Sequence, residues 1–249
     1  MNKKALVTGA SEGIGYVFAK RLASEGYDVT AIARNEERLK RLVSEMGAGH
    51  SYIVADLTTE AGQEKIVQAI SARHFDLLVN NAGIAAMGKF TDIPLKKHVE
   101  VATLNCETVM KLSYAYLKTA TAGDALINVS SALAFMPMPV IGLYSATKAF
   151  VTSFSESLWF EQRPRGVYVM GLCPGITSTN FNENSGAGKA ETPKLMTQTP
   201  EQVVDTALKA LKARNKPTVI SGWVNNVFAF MSRLMSRKAI ASMMGKMGA

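Results

Sequence analysis

Asn105, Ser131, Tyr144 and Lys148 lie far apart along this chain, downstream of a glycine-rich turn, Gly9-Ala10-Ser11-Glu12-Gly13-Ile14-Gly15. A phenol with an ammonium four residues on, a hydroxyl and a carboxamide are the parts of a proton-transfer site. A glycine turn is where backbone can cradle phosphates. Together they imply hydride-transfer chemistry: an acid/base phenol beside a dinucleotide. Tyr-x-x-x-Lys alone carries little weight, because any helix rich in Tyr and Lys places such pairs on one face. It occurs three times here, at Tyr16/Lys20, Tyr114/Lys118 and Tyr144/Lys148. Thirteen positions before the three tyrosines stand Lys3, Val101 and Ser131. Only the third pair has a hydroxyl to grip a carbonyl oxygen from a second side. The other two pairs read as solvated or packed helix faces.

The lysine has a physical task. A free phenol titrates at about 10, acceptable as an acid and poor as a base. A unit charge about 4 Å away, at an effective dielectric constant of about 20, is worth about 4 kcal/mol. The expectation is a phenol drawn toward neutral pH, where a general acid/base works best.

These groups need a scaffold. Short β-branched runs alternate with helical stretches, the signature of parallel strands joined by crossover helices. Strands are predicted at 4–8, 28–33, 50–55, 76–80, 125–130, 167–172 and 217–220, and helices near 13–25, 35–46, 59–72, 94–117, 145–163 and 200–213. Runs such as Leu77-Leu78-Val79 do not alternate, as expected of strands buried on both faces. The predicted fold is α/β: one Rossmann-type, doubly wound parallel sheet of about seven strands, helices on both faces and a helical C-terminal extension over 223–249. The whole of 1–249 reads as one domain. Residues 177–199, rich in Gly, Asn, Thr and Lys, read as a substrate loop with Gly186 and Gly188 as flexible points.

The turn between the first strand and first helix sets Gly9, Ser11, Gly13, Ile14 and Gly15 at a helix N-terminus, where unpaired N–H groups and the dipole favour a pyrophosphate. Glycine serves where a Cβ would block the approach. Asp56-Leu57 closes the third strand, where a carboxylate can take an adenine amino hydrogen; the other reading of Asp56 is a helix N-cap. Asn80-Asn81-Ala82-Gly83 closes the fourth, with small residues where adenine and ribose pass. Ligands bind outside the carboxyl ends of such strands. Ala33-Arg34 ends the second strand without a carboxylate. An arginine there suits a 2′-phosphate, so the pattern favours NADP(H) and leaves NAD(H) open. Arg38 reads as a second cation or a surface charge.

The ordered set resembles the classical short-chain dehydrogenase/reductase family from Lys3 to about Thr179. It comprises the Thr8–Gly15 loop, Asn80–Gly83, Asn105, Ser131, Tyr144-Ser-Ala-Thr-Lys148 and Pro174-Gly175. The resemblance implies NAD(P)(H), oxidation or reduction at an alcohol/carbonyl carbon, and a homodimer or homotetramer. It places catalytic roles on Asn105, Ser131, Tyr144 and Lys148, with cofactor contacts at Tyr144, Lys148, Pro174, Gly175, Thr177 and Thr179. Thr177 stands where such proteins often carry an apolar residue. In that scheme Tyr144 exchanges the proton, Ser131 donates to the developing oxyanion, Lys148 also holds the nicotinamide ribose, and Asn105 orients a water behind Lys148. The alternative is a protein that binds NADP(H) without turnover, whose mark would be a broken catalytic set.

The stretch from Ala132 to Leu143 holds Phe135, Met136, Pro137, Met138 and Pro139 and no charge. It predicts a wall for an apolar or chain-bearing carbonyl or alcohol. His50, His74 and His98 show no ligand spacing, and no metal site is predicted. Among 249 residues, 47% are hydrophobic and 19% charged, which describes a globular core. Cys106 and Cys173, with no export signal, read as reduced thiols of a cytoplasmic protein. The net charge is +8, and from Lys209 onward there are eight Lys/Arg and no Asp/Glu. Without aromatic–basic interleaving this does not read as a nucleic-acid groove. The tail beyond Trp223 reads either as a helix pair over the pocket or a partner subunit, or as a basic amphipathic segment on an anionic membrane.

Overall fold

The computed structural model of the protein describes residues 2–181, 185 and 197–247. Seven parallel strands form one sheet in the order β3-β2-β1-β4-β5-β6-β7. They are β1 (Lys3–Thr8), β2 (Tyr27–Ala33), β3 (Ser51–Val54), β4 (Leu77–Asn80), β5 (Ala125–Val129), β6 (Tyr168–Cys173) and β7 (Thr218–Ile220). The order reverses between β1 and β4, which opens a crevice at the carboxyl ends of these two strands.

Strand side chains alternate between two apolar layers. Ala5 and Val7 enter one layer and Leu6 the other. The first layer is covered by α1 (Gly13–Ser24), α2 (Glu36–Met46) and α7 (Pro200–Ala213), through residues such as Phe18, Leu39 and Val204. The second is covered by α3 (Glu60–Ala72), α5 (Thr108–Thr119) and α6 (Gly142–Gln162), through Ile66, Leu112 and Leu158. Both faces being covered, the central strands β4, β5 and β6 are buried throughout, which is why they lack a polar alternation.

Local chemistry sets the helix starts. The Asn35 side chain accepts from Arg38 N at 2.9 Å, and Thr199 and Gln202 form a capping box ahead of α7. Thr59 caps α3 by accepting from Gly62 N at 3.1 Å. The N-cap alternative for Asp56 is therefore corrected: its Oδ1 closes a tight turn onto Thr58 N (3.0 Å) and Thr58 Oγ1 (2.8 Å) instead.

The predicted strands match to within one or two residues. The single helix expected over 94–117 is divided: α4 (Leu95–Ala102) passes into a π-helical turn, Thr103–Glu107, before α5. A π turn carries an extra residue and rotates what it holds relative to a regular helix. α6 starts earlier than expected, at Gly142, because short 3₁₀ turns at Ala132–Phe135 and Pro139–Ile141 lead the chain into it. The tail forms α8 (Trp223–Leu234) and α9 (Arg237–Met247). Most of the expected substrate loop, including Gly186 and Gly188, lies outside the described residues. Its two stems are paired: Thr177 and Gln198 form a parallel bridge, with Ser178 N donating to Gln198 O and Gln198 N to Ile176 O, both at 2.9 Å.

At the other end of the sheet His74, Asp76 and Asp124 converge, a grouping that spacing did not reveal. Lys4 N donates to Asp76 Oδ2 (2.7 Å), Thr121 N donates to Asp124 Oδ2 (2.6 Å), and His74 pairs with Asp124 (3.3 Å). These contacts hold strand starts.

A Cβ at Gly62 would overlap the carbonyl of Asp56, a backbone group with no room to move. Gly62→Ala is expected to destabilise the fold by about 2 kcal/mol or more, read as a lower urea midpoint at unchanged slope. An unchanged midpoint would mean that α3 does not seat against that carbonyl.

Candidate active site

The carboxyl end of β5 and the first turns of α6 bring three of the sequence-predicted groups together. Ser131 follows β5 in extended conformation and caps the 3₁₀ turn after it, its Oγ accepting from Leu133 N at 3.1 Å. Tyr144 lies in the first turn of α6, buried, with the Ser131 side chain near enough to its hydroxyl to act on its acidity. Its ring packs with Ala85 and Ile141 and lies 5.4 Å from that of Phe181. Lys148 follows one turn later, 4% exposed, its Nζ 5.5 Å from the Tyr144 ring centre. That ammonium donates to the Val129 carbonyl at 2.8 Å, a backbone partner with no sequence signal. Ser130 turns the opposite way and donates to the Lys148 carbonyl at 2.7 Å, as strand alternation requires. The other two pairs sit outside the site. Tyr16 and Lys20 join Glu45 on the surface, and Tyr114 is exposed beside Lys118.

Asn105 occupies the π turn and is fully buried. Its Nδ2 donates to Ile84 O (2.9 Å) and Thr147 Oγ1 (3.0 Å), while Oδ1 accepts from Ile84 N (3.0 Å). Both amide hydrogens are thus committed to tying the segment after β4 to α6, while Oδ1 keeps a second lone pair. A Cβ at Gly83 would lie 3.3 Å from both Asn105 Oδ1 and Lys148 Nζ, so Gly83 keeps the space between them open.

The glycine turn lies across the crevice. Gly9 and Gly13 have φ of +65° and +58°, accessible to glycine at little cost. Their spacing has an internal cause that the sequence did not show. A Cβ on Gly15 would overlap the Gly9 carbonyl, and one on Gly9 would stand 2.9 Å from Ala82 Cα. Asn81 Nδ2 donates to Thr8 O (2.9 Å) and Gly9 O (3.2 Å), and Thr8 Oγ1 accepts from Asn81 N (2.9 Å) and Ala82 N (3.0 Å). Thr8 is thus the hinge pin of the turn. Ser11 sits half-buried in the turn and Ile14 packs on the core. The N-cap of α1, Glu12, makes no side-chain cap bond, and the first turn holds no acid.

Around this turn, Arg34 is exposed just beyond β2. Arg38 pairs with Glu12 at 2.8 Å, and Asn180 donates to the same carboxylate oxygen at 3.2 Å. Burial opposes the charge of Asp56, yet the Thr58 hydrogen bonds and the Arg34 charge outweigh it and hold the carboxyl below its ordinary range. Leu57 is buried in the core and its carbonyl accepts from Thr108 (2.8 Å) and Gln63 (3.2 Å), so a ligand contact there falls to its backbone N–H. The Pro174 carbonyl accepts from Ala132 N at 2.7 Å. Thr177 Oγ1 donates to Gly175 O at 3.0 Å, and Thr179 lies 3.1 Å from where a Gly13 Cβ would be. Asn225 of α8 reaches over Gly175 so closely that a Cβ there would overlap its amide. No pattern in the sequence pointed to Asn225.

Residues 3–190 match the family model described as short chain dehydrogenase. The chain belongs to the short-chain dehydrogenase family. It is 33% identical over 225 residues to a 7beta-hydroxysteroid dehydrogenase of Mediterraneibacter gnavus, covering 87% of this chain and 85% of that protein. It is 30% identical over 236 residues to the very-long-chain 3-oxoacyl-CoA reductase of Macaca fascicularis, covering 88% and 73% of the two chains. Among solved structures, a short-chain dehydrogenase from Sphingobium yanoikuyae in complex with NADPH superposes with a TM-score of 0.82 at 30% identity, over 88% and 87% of the chains.

As a short-chain dehydrogenase the chain is an oxidoreductase, and the electrostatics of its candidate site differ from the expected phenol tuning. Burial pushes the Tyr144 hydroxyl up to about 12, with the nearby Ser131 side chain acting in the opposite direction. Burial pushes the Lys148 amine down to about 8. The expectation of a phenol drawn toward neutrality is therefore corrected for this state of the site. Removal of water dominates, and the lysine donates to a carbonyl, with no carboxylate beside it among the described residues.

An amine that titrates near 8 in the fold and at an ordinary 10.5 in the unfolded chain binds fewer protons folded than unfolded between those limits. Stability then rises as pH climbs from 8 to 10.5, and the cost of the buried charge is fully present below 8. Lys148→Met removes that cost and leaves the Val129 carbonyl unpaired, which offsets part of it. The expected net result at neutral pH is a gain of about 1–2 kcal/mol with turnover abolished. A variant less stable than the parent in urea titrations would show that the amine is a structural asset.

Proposed function

We propose that this oxidoreductase interconverts a carbonyl and an alcohol on a bulky apolar substrate, with NADP(H) as its preferred hydride carrier. The observation that carries the reading is the convergence of Ser131, Tyr144 and Lys148 at the carboxyl end of β5, in a sheet whose order reverses beside the glycine turn. The preference for NADP(H) over NAD(H) rests on the exposed Arg34 beyond β2, suited to a 2′-phosphate, and accords with the NADPH-bound relative.

The residues present fit a dinucleotide. The α1 N-terminus has no side-chain cap to occupy its N–H groups, and Gly9, Ser11, Gly13, Ile14 and Gly15 would hold the pyrophosphate there. Asp56 and the Leu57 N–H would meet the adenine, Asn81–Gly83 the ribose beside it, and Pro174, Gly175, Thr177 and Thr179 the carboxamide. When bound, the nicotinamide supplies hydride in reduction and takes it in oxidation.

The chain's own part is proton transfer and placement. Ser131 and Tyr144, brought together at the end of β5, would both turn to the substrate oxygen, where two donors stabilise developing negative charge. Tyr144 then releases its proton to that oxygen, or takes it back in the reverse direction. Lys148, when protonated, lowers the cost of the phenolate that remains. Asn105 is a positioning residue: it fixes α6 against the end of β4, and its Oδ1 keeps an acceptor site toward Lys148 for a water.

The substrate class follows from the wall. Leu133, Met136 and Met138 form an apolar cluster closed by Phe228, Ile240 and Met244 from α8 and α9. Methionine fits itself to irregular shapes. The relatives are, by name, a 7beta-hydroxysteroid dehydrogenase and a very-long-chain 3-oxoacyl-CoA reductase, and a steroid nucleus and a long acyl chain are both large and apolar.

Tyr144→Phe should keep NADPH affinity and lose turnover by at least about 100-fold, read by cofactor fluorescence and by NADPH consumption with steroid, long-chain 3-oxoacyl and aromatic ketones. An undiminished rate would remove the proton donor, and tight NADPH binding with no turnover on any class would favour the binding-only alternative. Arg34→Ala should weaken NADPH by about tenfold and leave NADH nearly unchanged; equal losses would remove the 2′-phosphate role. The reduction rate of the parent protein should fall as pH rises through about 8, where Lys148 loses its charge. A profile flat to pH 10 would show that the ammonium does not act on the phenol.

A further inference from the structure

The two faces of α8 differ. Its inner face, with Phe228, closes the apolar cluster around Met136. Its outer face carries Trp223, Val227, Phe230, Met231 and Leu234, which are 68%, 51%, 60%, 45% and 68% exposed. The spacings of four, three, one and three residues put them in one stripe along the helix. Arg233, and beyond the helix Arg237 and Lys238, are exposed at the same end. From Lys209 to the C-terminus the chain has no carboxylate side chain to neutralise them.

A contiguous apolar stripe of this kind marks a docking surface, and its charge selects the occupant. A second copy meeting it about a two-fold axis would set the same patch against itself. Arg233, Arg237 and Lys238 would then meet a matching cationic edge with no acid from either tail between them. A layer of anionic headgroups over an apolar interior is complementary to both parts at once: the aromatic and aliphatic stripe enters the acyl boundary and the basic edge lies among the headgroups. No described helix is long and apolar enough to cross a membrane, so the fitting geometry is a helix lying in the interface. We infer that the outer face of α8 docks the protein reversibly on an anionic bilayer surface. This inference does not depend on which reaction the site performs.

The test is flotation of the full-length protein with vesicles of phosphatidylcholine alone and of phosphatidylcholine mixed with phosphatidylglycerol, at low and high salt. Retention is expected on the anionic vesicles at low salt, with little on the neutral ones and a strong decrease at high salt. Phe230→Ser combined with Leu234→Ser should abolish retention. Arg233→Ala, Arg237→Ala and Lys238→Ala should each weaken it by about fivefold. NADPH fluorescence and thermal melts of every variant separate lost docking from lost folding, and the three exposed basic positions supply variants that disturb no core. Absence of the parent protein from anionic vesicles at low salt would overturn the inference. So would retention unchanged in all the variants, and so would a dimer that falls to monomers in the Phe230/Leu234 variant without any vesicle binding, which would assign the stripe to a second copy.

Discussion

Everything at the candidate site depends on an ammonium kept away from water with no carboxylate beside it among the described residues. Lys148 Nζ is held by one backbone carbonyl, that of Val129, at the last residue of a strand buried along its whole length. Facing a backbone dipole, the amine is lowered toward neutral pH by desolvation. The second covering layer supports this arrangement. Ser130 grips the Lys148 carbonyl, Asn105 fixes Thr147, and Thr147 donates to Tyr144 O at 2.7 Å. The lysine is thus held by its own backbone as much as by its side chain.

The glycine turn answers a second constraint, that two loops from neighbouring strands share one small volume. Thr8 and Asn81 exchange hydrogen bonds across the switch point, and Gly9 and Gly15 are small because Asn81 and Ala82 lie against them. The backbone N–H groups at the start of α1 are left without side-chain caps as a result of position, not omission. Asn35, Thr59 and Thr199 cap α2, α3 and α7, whereas α4, α6 and α8 also begin without a side-chain cap. Glu12 at the equivalent place points instead to Arg38 and Asn180.

Much of this was legible in the chain itself, for reasons that differ by element. The strands could be read because a strand buried on both faces must be uniformly apolar, and β4, β5 and β6 are. Ser131 could be distinguished from Ser130 because alternation is strict at a strand end. The π turn at Asn105 was not legible, since the phase shift that an extra residue makes needs a longer helix before it to show than the eight residues of α4. The partner of Lys148 was equally invisible, being a backbone atom of Val129. The expected acidity of Tyr144 failed because a charge–charge estimate weighs one neighbour and omits the loss of solvent around both groups. The reading of Arg34 stands on its place at the end of β2, and Asn225 escaped notice because its approach to Gly175 is made by the fold, from a helix far along the chain.

The paired stems at Thr177 and Gln198 bear on how such a chain changes over generations. With Ser178 and Gln198 joined backbone to backbone, the two stems are fixed by groups that every residue type except proline possesses. Substitution at either end by any residue but proline keeps the clasp in place, so the chain can vary in side chain there without losing the register of its two stems.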